Sequence, residues 1–300
     1  MSIDLAVVPV AGLGTRLLPS TKSQPKEMLP VGRKPVVQYV VEELMNSEIH
    51  RILFVTGNGK ESIENFFDVN KELIQFLRQT GREELLETLE FERQPIEYAY
   101  TRQREQLGLG HAVLCAEPFV ADQSFVVALG DSIIGRHAES NIVERMISEF
   151  ERARADVVIA FEELEDPGDV VHYGIAQPKG DADDVFDLED VIEKPDVDES
   201  PSRLAVAARY VFNASIFEHL KQTEPGKKGE IQLTDAIRRL LKSGGKGVGL
   251  RLNPGERRFD IGNFESYFRA FAEFSLSDPQ YGPGLTEFVR SLLDDRASGT

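Results

Sequence analysis

Cysteine is almost missing: Cys115 is the single thiol in 300 residues, so no internal disulfide can form. Its place in the apolar run His111-Ala112-Val113-Leu114-Cys115 predicts a buried thiol rather than a nucleophile. No apolar run approaches the roughly 18 residues that cross a bilayer. The opening Met1-Ser2-Ile3-Asp4 carries neither the basic stretch nor the cleavage site of a secretory leader, so the chain is expected to stay soluble in the cytoplasm with no membrane partner. Internal repeats and low-complexity linkers are also lacking, which leaves one unit over 1–300 as the simplest organisation. Positive charge is scarce as well, with 34 Lys and Arg against 51 Asp and Glu, a net charge of −17. Nucleic acid and anionic lipid are repelled at long range by such a chain, and neither is expected as a partner. A phosphate ligand is still allowed, because a local cluster of cations and backbone N–H groups can dominate inside a pocket.

What is present reads as α/β. Apolar content of 41% supplies ample core, and runs rich in β-branched residues alternate with helical patterns. Strands are predicted over 5–10, 51–56, 96–101, 125–129, 156–161, 204–212 and 246–252. Helices are predicted over 36–45, 61–68, 71–79, 83–89, 111–117, 141–153 and 234–242. This pattern implies a Rossmann-like mixed, largely parallel central sheet flanked by helices. Between 166 and 201, Pro, Gly and Asp punctuate short strands, the texture of an antiparallel subregion rather than another βα repeat. Two helices over 264–300 close the chain, and their Phe268, Phe271, Phe274 and Phe288 offer a surface for a homo-oligomer or for packing within the chain.

The first strand runs into Gly12-Leu13-Gly14-Thr15-Arg16, a turn whose small residues let backbone N–H groups approach an anion. No Gly-Lys-Ser/Thr follows, so it is not a Walker A loop, and Leu17 stands at the third glycine of a dinucleotide fingerprint. The continuation to Lys26 sets two cations, Arg16 and Lys26, near one turn across a proline-fixed segment. Farther on, the buried strand 125–129 ends on Gly130-Asp131, and ligands of open α/β sheets gather beyond such strand ends.

Ala11-Gly12-Leu13-Gly14-Thr15-Arg16 with Pro25-Lys26-Glu27-Met28-Leu29-Pro30 resembles the signature of the sugar-1-phosphate nucleotidylyltransferases. The likeness continues in order through Gly108-Leu109-Gly110-His111, Val191-Ile192-Glu193-Lys194-Pro195, Ala208-Arg209-Tyr210-Val211 and Glu230-Ile231-Gln232-Leu233-Thr234-Asp235. It implies a transfer between UTP and glucose 1-phosphate assisted by Mg²⁺. By the same resemblance Ala11, Gly12 and Gly14 face the nucleotide, Arg16 holds the β- and γ-phosphates and Lys26 lies near the α-phosphate. Glu27, Gln103 and Gly108 fall on the base side. Asp131 and Asp260 are the implied metal ligands, Gly174 and Glu193 face the sugar, and Lys194 meets its phosphate. His111, on an apolar helical face, is expected to pack or cap rather than act as a base. Two positions depart from the family pattern: Ser132 stands where a second acid is common, and Ile261 where threonine is common. Other readings consistent with these residues are a thymidylyl- or adenylyltransferase, a catalytically weak regulatory paralogue, and a glycosyltransferase.

Overall fold

Alternation in the first strand decides which faces of the sheet are filled. In the computed structural model, which describes residues 3–226 and 229–297, β1 (Leu5–Pro9) points Leu5 and Val7 into one apolar cluster and Ala6 and Val8 into another. The same two-sided burial holds for β4 (Arg51–Thr56), β6 (Phe125–Ala128), β8 (Val157–Glu163) and β11 (Leu204–Phe212), as near-continuous Val, Ile and Phe content requires. The chain-order set is completed by β2 (Pro30–Val31), β3 (Lys34–Pro35), β5 (Glu97–Arg102), β7 (Ser132–Ile134), β9 (Gly174–Pro178), β10 (Val185–Glu193), β12 (Gly247–Arg251) and β13 (Arg258–Asp260).

Nine strands form the main sheet in the order β5-β4-β1-β6-β11-β8-β12-β10-β9. Pairs β5–β4, β4–β1, β1–β6 and β8–β12 are parallel; β11 runs against β6 and β8. On one face lie α1 (Val36–Asn46), α2 (Glu61–Phe67) and, beyond α3 (Lys71–Gln79), α6 (Ile142–Ala153). The other face is covered by α4 (Leu109–Leu114), α5 (Glu117–Val120), α7 (Ile216–Lys221) and α8 (Leu233–Lys242). The chain leaves β1 toward β4 on one side, while β6 lies on the other. That reversal of strand order opens a crevice at the carboxyl ends of β1 and β6.

The expected α/β alternation is present, with differences at the short elements. The segment expected as a helix over 83–89 is an exposed 3₁₀ turn, Glu83–Arg93, because it buries no side chain that would hold a longer helix to the sheet. The strands expected between 166 and 201 pair antiparallel and extend the edge of the main sheet. Two small sheets, β2–β3 and β7–β13, have no counterpart in the sequence reading, since strands this short show no period. They enclose a third cluster, with Leu17, Ile133, Phe259, Ile261 and Phe274 of α9 (Phe264–Leu276). Phe274 therefore packs within the chain, whereas Phe268, Phe271 and Phe288 are exposed. The last helix is α10 (Gly282–Ala297). Residues 298–300 of the expected C-terminal helices, like Met1 and Ser2, lie outside the described residues.

Candidate active site

A cleft of about 760 Å³ opens at that crevice, and the residues singled out from the sequence come together along its wall. From the loop after β1 come Ala11, Gly12, Gly14 and Arg16; from the 3₁₀ turn Lys26–Met28 come Lys26 and Glu27. Gln103 and Gly108 enter from the segment between β5 and α4. Asp131 lies just beyond β6, Asp260 ends β13, and Gly174, Glu193 and Lys194 stand at the neighbouring ends of β9 and β10. Residues spread over most of the chain thus share one cavity, at the place where the sheet topology calls for a ligand.

Asp131 and Asp260 are brought together by the β7–β13 ladder, in which Asp260 opposes Ser132 and the Ile261 amide donates to the Asp131 carbonyl at 2.9 Å. Their charges interact. Burial, then the Asp131 charge, pushes the Asp260 carboxyl above the ordinary aspartate range, against the pull of Arg258, Lys26 and Arg16. Asp131 goes the other way: burial would raise it, but an ion pair with the Lys26 ammonium holds it low. Lys26 itself is kept above the usual lysine value because Asp131, Glu27 and Asp260 outweigh the cost of burial. Two half-buried carboxylates that repel each other, with cations near them, suit a hard divalent ion that takes only one or two protein oxygens. Among the described residues no cluster of three His, Cys, Asp or Glu side chains adds to this pair.

Ser132 and Ile261, where the sequence departs from the family pattern, have structural work. Ser132 is 1% exposed and its carbonyl accepts from Arg209, while Ile261 is fully buried in the third cluster. Neither side chain is a charged group in the cleft.

On the opposite wall Glu193 accepts from the Thr234 hydroxyl at 3.0 Å and pairs with Lys194 at 2.8 Å. Lys194 is exposed and holds a left-handed backbone with φ of 47°, a strained conformation for a side-chain-bearing residue that recurs at binding sites. Gly174 is required beside them, since a Cβ there would come within 2.9 Å of the Thr234 methyl. Gly108 is equally constrained: its φ is 94° and an added Cβ would lie 2.7 Å from the Ile231 carbonyl.

Several supporting residues were not legible in the sequence. Lys60, 5% exposed, donates to Glu27 at 2.8 Å, so Glu27 lines the cleft as half of a buried ion pair rather than as a surface acid. Burial pushes the Glu27 carboxyl up, and Lys60 and Lys26 pull it back. Arg258 donates to Glu162 at 2.6 Å and stacks 4.4 Å from the Tyr173 ring centroid, carrying positive charge to the mouth of the carboxylate pair. The only sequence signal for it was adjacency to Phe259-Asp260. Arg16, by contrast, is exposed and makes no ion pair with any described residue, which leaves its guanidinium available to a ligand. Cys115 is partly buried and burial pushes its thiol pKa up, which does not suit a nucleophile.

Residues 5–276 match the family model described as nucleotidyl transferase. The chain is 42% identical over 288 residues to the UTP–glucose-1-phosphate uridylyltransferase YngB of Bacillus subtilis, a match covering 96% of this chain and 95% of that protein. It is 40% identical over 268 residues to the UTP–glucose-1-phosphate uridylyltransferase of Pseudomonas aeruginosa, covering 89% and 94% respectively. Among solved structures it matches the UTP-bound UGPase from Acinetobacter baumannii with a TM-score of 0.88 at 36% identity, over 97% of this chain and 99% of that one.

Proposed function

The chain belongs to the nucleotidyl transferase family, and on that premise we propose that it is a UTP–glucose-1-phosphate uridylyltransferase, forming UDP-glucose and pyrophosphate in the cytoplasm. The observation that carries this reading is the single cleft with a glycine turn and two cations at one end and Glu193 with Lys194 at the other.

Two anions must meet there. A phosphate oxygen of glucose 1-phosphate attacks the α-phosphorus of UTP in line, the bond from that phosphorus to the bridging oxygen breaks, and pyrophosphate leaves with the electron pair. The protein's task is to position and to neutralise rather than to form covalent bonds. Backbone of Ala11, Gly12 and Gly14 approaches the triphosphate, Arg16 reaches its outer phosphates, and Lys26 stands nearest the centre of reaction. Gln103 and Gly108 face the base, and Glu27, held by Lys60, lies on the same side. Glu193, held by Thr234, accepts from sugar hydroxyls, and Lys194 pairs with the sugar phosphate. Asp131 and Asp260 are the residues that would hold Mg²⁺, which when bound supplies positive charge against the α-phosphate and the leaving group. Asp131 gives its Oδ2 to the Lys26 ammonium, so that cation stands beside the oxygens a metal ion would use.

Release of pyrophosphate from UTP, dTTP, ATP or CTP, each with glucose 1-phosphate, tests the assignment. UTP is expected to give the highest kcat/KM; a preference for dTTP or ATP would overturn the substrate choice, and no turnover with any would overturn the enzyme. Within that assay, Lys194→Ala is expected to raise KM for glucose 1-phosphate about tenfold or more while moving KM for UTP less than about threefold. The reverse pattern would exchange the two ends of the cleft.

A further inference from the structure

The amide of Gln103 is held at both of its N–H groups. Its backbone is pinned by the amide's own bond to the Thr56 carbonyl at 2.9 Å. From the side chain, Nε2 donates to the Gly108 carbonyl at 2.9 Å and faces His111 Nδ1 at 3.1 Å. A carbonyl can only accept, so the nitrogen end of this amide has to be the end turned toward Gly108. With that orientation set, Nδ1 must be the acceptor, which makes His111 the neutral tautomer with its proton on Nε2. Gln103 is 4% exposed and lines the cleft, yet no described residue donates to its Oε1, and Oε1 is not among the sealed, unpartnered atoms. The side chain therefore shows the cleft one thing, an acceptor.

We propose that His111 is a positioning residue for nucleotide choice: by occupying the second N–H of Gln103 it keeps Oε1 aimed into the cleft and so selects bases with an N–H at the facing edge. This rests on the uridylyl reading above. A pyrimidine imide, uracil or thymine, presents N3–H to that oxygen. Cytosine presents a lone pair at the same position, and two acceptors face each other. Turning the amide over would admit cytosine, but it would set Oε1 against two acceptors at once, the Gly108 carbonyl and His111 Nδ1. His111 supplies the remaining bias. Its position one helical turn before Cys115, whose sulfur lies 4.0 Å from Nδ1, gives it no better partner among the described residues than Gln103.

The test is the ratio of kcat/KM for UTP to that for CTP, in the full-length enzyme with glucose 1-phosphate. His111→Leu removes the acceptor and is expected to lower the ratio roughly 5- to 10-fold, the effect of one net hydrogen bond, through KM rather than kcat. His111→Phe, which keeps a ring but no nitrogen, should lower it equally and serves if the leucine variant folds poorly. His111→Asn, whose Oδ1 can accept in place of Nδ1, should keep the ratio within about threefold of the parent. An unchanged ratio in the leucine and phenylalanine variants overturns the proposal, as does an equal loss in all three, which would mark a packing role. A parent enzyme that does not favour UTP over CTP at all would instead count against the uridylyl reading itself.

Discussion

Replacing Asp131 by asparagine is expected to lower kcat about 10³-fold or more while leaving the fold in place. The substitution keeps shape and removes one charge. Asp131 closes the buried strand β6, and the apolar clusters on either face of the sheet do not depend on its carboxylate. Its charge is what pairs with Lys26 and what makes a two-carboxylate site with Asp260. Once it is neutral, the repulsion that favours a divalent ion between the two acids is gone, and Lys26 is left to Glu27 and Asp260. Pyrophosphate release measured beside a thermal melt separates the two outcomes. Turnover within tenfold of the parent at an unchanged melting temperature would remove Asp131 from the proposed metal site.

Arg209→Met should do the opposite, damaging stability first. The Arg209 side chain is 0% exposed and that of Glu43 3% exposed, and Arg209 Nε donates to Glu43 at 3.0 Å. The same guanidinium donates to the carbonyls of Ala208 at 3.0 Å and Ser132 at 2.9 Å, so it ties the strand behind the cleft to the turn that carries Asp131. Removing it strands a buried carboxylate, whose Oε1 already has no partner among the described residues. The expected loss is about 3–5 kcal/mol, a fall in Tm of roughly 10 °C. Even with Arg209 present, burial holds the Glu43 carboxyl above its ordinary value. A carboxyl whose folded pKa is raised costs stability at pH above that value and costs none once it is protonated in both states. The deficit of the variant should therefore be largest at neutral pH and shrink on acidification. Adding Glu43→Leu should recover more than half of the loss, since removing both charges leaves no unpaired ion. Denaturation curves at neutral and acid pH check both statements, and a variant as stable as the parent would show that the pair contributes nothing.

Much of the site was legible because its signals are local. The glycine turn after β1 announces itself by residue type within a few positions. Asp131 is marked by the end of an apolar run, and the alternation of strands and helices follows from the periods of two and 3.6 that any buried strand or helix must show. Asp260, Glu193 and Lys194 were reached through family likeness, because an acid or a Glu-Lys-Pro on its own says nothing about a ligand.

The sequence alone thus determined the class of fold, the glycine turn and the strand end beside it, since each depends on neighbours along the chain. Only the tertiary structure decided that β7 and β13 pair and set Asp260 against Asp131, that Glu27 is buried on Lys60, that Arg209 spans from Glu43 to Ser132, and that His111 faces the Gln103 amide. These couplings join residues through the order of strands in the sheet, which leaves no period or spacing to read. The physical reason is that a charge or an amide acquires its role from the partner that replaces its water, and that partner is chosen by the fold.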